Sequence, residues 1–188
     1  MMILGALLAG GLMSASSLHA QPVPIESESG GGRVYQRWES PPWQVLAGDD
    51  YCAADLEVPN IQFAVELYWW TGEVRLQVAS GNWLSLRHRS GGPARLSLSL
   101  DGFSAWSSDE ATIFGNEQVG GFLMDLSAPH ARSVTSRLAN ARVIEITAEG
   151  RTLGSHALEN VQEAMRELEL CARLMRANDQ TDPFARPG

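Results

Sequence analysis

The chain has 188 residues, 44% of them hydrophobic, with 14 basic and 22 acidic side chains and a net charge of −8. That length supports one substantial core but not two full-sized domains. The acidic balance argues against non-specific binding to nucleic acid or anionic lipid, since no large basic surface is available to neutralise phosphates, and points instead to protein, neutral or cationic partners.

Residues 1–20 pass from an apolar run (Ile3 to Met13) to small residues ending at Ala20, the pattern of a secretory signal cleaved after Ala20. The apolar part is too short to span a bilayer comfortably, so no stable membrane insertion is expected once the signal is removed. Residues 21–32, with Pro22, Pro24 and Gly30-Gly31-Gly32, have the composition of a flexible linker. A single domain is expected over 33–176, followed by a disordered tail, 177–188, punctuated by Pro183 and Pro187. Export places the two cysteines, Cys52 and Cys171, in an oxidising compartment, where a pair forms one disulfide.

Residues 33–52 read as a poorly regular leading segment around Pro41-Pro42 and Trp43. Ile61 to Trp70 is the clearest strand: Ile61, Phe63, Val65, Leu67 and Trp69 share one face, and Gln62, Ala64, Glu66, Tyr68 and Trp70 the other. Thr71-Gly72 breaks it into a hairpin with a second strand, in which Val74, Leu76 and Val78 alternate with polar residues. Further strands are expected at Asn82 to His88, Ala94 to Leu100, Phe103 to Trp106 after the Asp101-Gly102 turn, and Gln118 to Leu126 with an irregularity at Gly120-Gly121.

The periodicity then changes. Ser127 caps a short helix with Pro129 in its first turn and Ala131, Val134 and Leu138 on its apolar face. Arg142 to Ala148 and Arg151 to Leu158 form a hairpin about Glu149-Gly150. The last helix, Val161 to Arg176, places Val161, Ala164, Met165, Leu168, Cys171, Ala172 and Met175 on one stripe, with Asn160 and Glu163 in the positions of a capping box. The fold class is therefore α+β and β-dominated. An antiparallel sheet curls into a sandwich or partial barrel, with a short helix and a C-terminal helix packed on it.

The exported leader, the meandering strands with their Asp101-Gly102 turn, the short helix, the strand at 142–148 and the last hairpin entering a closing helix resemble the invasion-associated locus B family of bacterial periplasmic proteins. The likeness covers about Asn82 to Cys171. It implies a periplasmic protein of the bacterial envelope and carries no catalytic residue onto this chain.

Recognisable catalytic, phosphate-binding, dinucleotide and calcium-loop strings are absent from the sequence. No cofactor or metal is expected. His88 lies among Arg87, Arg89 and Arg95, a small anion-binding edge or a solvated strand edge; His130 lies near Asp125, and His156 beside Ser155. The six tryptophans are the more distinctive feature. Tyr68 and Trp70, two residues apart on the face of Glu66, would make an aromatic platform able to stack on a sugar ring or anchor a protein. The preferred reading is an exported, non-enzymatic protein that binds an envelope protein partner through Tyr68, Trp70 and Glu66. Two alternatives stand beside it: an inhibitor or immunity protein for a basic envelope-acting enzyme, or an envelope-polymer hydrolase using His130 or His156.

Overall fold

A computed structural model describes residues 36–181, the side chains of 36–40, 178, 180 and 181 excepted. The expected signal and linker, and residues 182–188 of the expected tail, lie outside the described residues. Strands β1 (Gln36–Ser40) and β2 (Trp43–Ala47) form a hairpin about a cis Pro41-Pro42 bond. They continue into β3 (Tyr51–Val58), β4 (Ile61–Tyr68) and β5 (Val74–Ser80). A short 3-10 helix (Leu84–Arg89) leads to β6 (Pro93–Leu100), β7 (Phe103–Gly115), β8 (Gly120–Leu126) and helix α1 (Ala128–Leu138). Strands β9 (Val143–Ala148) and β10 (Arg151–Ala157) precede helix α2 (Val161–Thr181).

All ten strands join one antiparallel sheet in the order β1-β2-β3-β4-β5-β8-β7-β6-β9-β10. The sheet curls into a half-barrel with α2 packed on it, as the α+β reading requires. Chain reversal is local where the turn chemistry is right. Asp101-Gly102 (φ 51° and 80°) and Glu149-Gly150 (φ 50° and 73°) place two successive residues in the left-handed region, which matches the twist of a tight hairpin. The Asp101 carboxylate also accepts from the backbone N–H of Arg142 and Val143, at 2.9 and 3.0 Å, fixing that turn to the start of β9.

The period of two in the strands and of 3.6 in the helices sends one apolar face of each into a common core. Trp43, Leu56, Phe63, Leu76, Leu96, Ile113, Met124, Ile144 and Ile146 are among its fully buried members. From the helices come Ala131, Val134 and Leu138 of α1, and Val161, Ala164, Met165, Leu168, Cys171 and Ala172 of α2. Cys52 and Cys171 are bonded, with their Cα atoms 6.1 Å apart across 119 residues of sequence. Two polar contacts add to this tie. Trp43 Nε1 donates to the Glu159 carbonyl at 2.9 Å, and Asn160 Nδ2 to the Pro41 carbonyl at 2.6 Å.

Several expectations change. Residues 33–52 contribute β1, β2 and the start of β3 rather than an irregular lead. Asn82 to His88 is not a strand. Trp83 O and Arg87 Cα sit where a Cβ on Gly120 or Gly115 would be, at 2.1 and 2.8 Å, so this segment packs across β8 and β7 as a 3-10 helix. The β4–β5 connection spans 69–73 rather than two residues, closed by Gly72 N–H to Tyr68 O (2.8 Å) and Tyr68 N–H to Glu73 O (2.9 Å). Residues 177–181 of the expected tail are helical, because α2 runs on to Thr181. Asn160 adopts φ 55° and spends its amide on Pro41 while Glu163 pairs with Arg166, so the expected capping box is replaced by a tether.

Candidate functional site

Register across β3, β4, β5 and β8 assembles the candidate patch on the face opposite the core. Tyr51 pairs with Tyr68, Glu66 with both Ala53 and Arg75, and Arg75 with Asp125. Because side chains opposite one another on adjacent strands touch, the result is a continuous chain of contacts. The Tyr51 and Tyr68 rings lie 6.0 Å apart, tilted by 54°. The Arg75 guanidinium sits 5.6 Å from the Tyr68 ring centroid. It binds Asp125 through both carboxylate oxygens, Nε to Oδ1 at 2.7 Å and Nη2 to Oδ2 at 3.3 Å. Solvent still reaches this pair, with side-chain exposures of 33% for Arg75 and 69% for Asp125.

Glu66 is half-buried at the centre. Burial pushes its carboxyl above the ordinary glutamate range, Asp55 and Asp125 push it the same way, and Arg75 and a hydrogen bond from Tyr68 pull it back. Burial likewise raises the Tyr68 and Tyr51 phenols, with the Glu66 charge adding to both and Arg75 opposing the rise in Tyr68. The patch therefore presents neutral phenols able to donate hydrogen bonds beside a carboxylate that is costly to keep charged.

The strand geometry expected to set Tyr68 and Trp70 side by side is not kept. β4 ends at Tyr68, and Trp70 stands in the following turn, 58% exposed. Trp69 is 9% exposed and donates its Nε1 to the Asp49 carbonyl at 3.3 Å, so it belongs to the core as expected. The ring that meets Tyr68 is Tyr51. Tyr51 and Arg75 are not among the expected site residues, and Asp125 is expected only beside His130; strand register is the signal that brings all three to this patch.

The histidines divide. His88 is exposed, with its Nε2 accepting from its neighbour Arg87 at 3.3 Å, while Arg95 is committed to Asp109, so no joint anion edge forms. His130 Nδ1 lies 3.1 Å from Ser127 Oγ and its ring 4.9 Å from that of Trp106. The nearby carboxylate expected to orient it, Asp125, is held by Arg75. His156 Nε2 is buried without a hydrogen-bond partner over Gly154, and that burial lowers the imidazole pKa. Among the described residues no three His, Cys, Asp or Glu side chains converge as a metal site, and no helix is long and apolar enough to cross a membrane.

Compared with family models, with curated proteins and with solved structures, the chain matches none. The disulfide is compatible with an oxidising, exported compartment.

Proposed function

We propose that the chain is an exported, periplasmic or secreted protein of the bacterial envelope that acts by binding a protein partner rather than by catalysis. Tyr68, Trp70 and Glu66 carry the contact, with Tyr51 and Arg75 beside them. The observation that supports this reading is the pre-ordered Tyr51–Tyr68–Arg75–Asp125 array, with the 58% exposed Trp70 in the turn that follows Tyr68. Trp, Tyr and Arg supply most interface hot spots because they offer large contact areas and a polar end. Here the rings and the guanidinium are held by each other, so little side-chain freedom is left to lose on binding.

The test is a pull-down from envelope extract, quantified for the wild type and for Y68A/W70A. Removing two hot-spot rings should weaken specific capture by about 2–4 kcal/mol, at least tenfold, while circular dichroism reports an unchanged fold. Undiminished capture by the double variant would refute the assignment.

A further inference from the structure

A second site lies on the helical side of the molecule. Helices α1 and α2 flank a cleft of about 260 Å3 that opens beside the β4–β5 turn. Its floor is apolar: Leu67 and Val74 from the sheet, Ala131 from α1, and Met165 and Leu168 from α2. Its rim is cationic. Arg132 of α1 and Arg173 and Arg176 of α2 line it, opposed by the single carboxylate of Glu169.

The helical period explains the arrangement. Met165, Glu169, Arg173 and Arg176 recur at spacings of three and four and form one row along α2, while Ala131 and Thr135 do the same on α1. None of the ion pairs among the described residues, Arg75–Asp125, Arg95–Asp109 and Arg166–Glu163, involves these three arginines. Arg176 donates its Nε to the Ala172 carbonyl at 3.2 Å. In a chain of net charge −8, three guanidiniums against one carboxylate above an apolar floor reverse the local sign.

From this charge complementarity we infer that the cleft binds a small amphiphile with an anionic oxygen head and a short aliphatic body. The guanidinium fork matches carboxylate and phosphate oxygens, and the floor buries the aliphatic part. Drug-sized ligands occupy about 300–1,000 Å3, so a cleft of 260 Å3 takes something smaller.

Titration of the full chain with octanoate, octyl phosphate and neutral octanol, followed by 1H–15N NMR, tests the inference. Octanoate or octyl phosphate should saturate shifts at Gly72, Arg132 and Thr135 with a dissociation constant on the order of 0.1–1 mM; which of the two binds more tightly identifies the head group. R132Q/R173Q, which keeps the side-chain bulk at two exposed and unpaired positions, should weaken binding at least about tenfold. E169Q should strengthen it. If the arginine stems simply cover the floor as amphipathic side chains do, no saturable shift appears. That result, or binding of octanol equal to that of octanoate, or binding unchanged in R132Q/R173Q, overturns the inference.

Discussion

Replacing Cys52 and Cys171 together by Ala removes a crosslink that closes 119 residues of sequence. In the chain-entropy treatment, a ring of that size confines the denatured chain by an amount worth about 5 kcal/mol. Both side chains are fully buried, so truncating them to Ala also leaves a small void that adds on the order of 1 kcal/mol. For a domain of this size the combined loss corresponds to a melting temperature lower by about 10–20 °C. Urea unfolding followed by tryptophan fluorescence measures it directly. The variant should unfold at a lower midpoint and with a steeper slope, because its denatured state, released from the ring, exposes more surface. A loss below about 1 kcal/mol with an unchanged slope would refute the loop-closure reasoning.

Other outcomes follow from single contacts. Y68A should cost about 0.5–1.5 kcal/mol through the lost Tyr51 ring pair, whereas W70A should stay within about 0.5 kcal/mol because its ring is mostly solvated; urea midpoints separate the two. Glu66 has a folded pKa above its unfolded value, so folding favours its proton and stability is lost as pH rises through the interval between the two. E66Q should therefore be more stable than the wild type at about pH 7 and lose that advantage below about pH 4. His156 shifts downward, so its contribution is present above the ordinary histidine range and is lost as pH falls through the folded value; an NMR titration should find its imidazole taking up its proton at a lower pH than that of a free histidine, and H156Q should flatten the acid limb of the stability curve. G120A places a methyl group 2.1 Å from Trp83 O, which should displace the 3-10 helix at a cost of about 1–3 kcal/mol, seen as a change in near-ultraviolet dichroism.

Much of the architecture was legible where one face is apolar and the other polar. Ile61–Tyr68 and Pro93–Leu100 alternate cleanly, and Val161–Met175 repeats at helical spacing, so these elements and their buried faces appear directly in the residue pattern. Strand β3 hides because Ala53 and Ala54 are small and both buried, which erases the alternation. Strand β7 beyond the expected Phe103 to Trp106 hides because its pairing with β6 slips between Ala94 and Leu96 and again between Leu98 and Ser99, breaking the period of two. Glu66 and Tyr68 could be placed on one face from their own strand. Tyr51 and Asp125 could not, since they reach the patch through registers set by the whole sheet. Local pattern also misplaced Trp70, because Trp69 and Trp70 read as the end of the strand although the turn already begins after Tyr68.

The bond between β3 and α2 changes what a single proteolytic cut can do. The 3-10 helix buries none of its residues and lies within the ring, so a protease nicking it separates no fragments. The two halves stay covalently linked, with β8 still hydrogen-bonded to β5 across the break in sequence. A nicked molecule would run as a whole chain until a reductant is added.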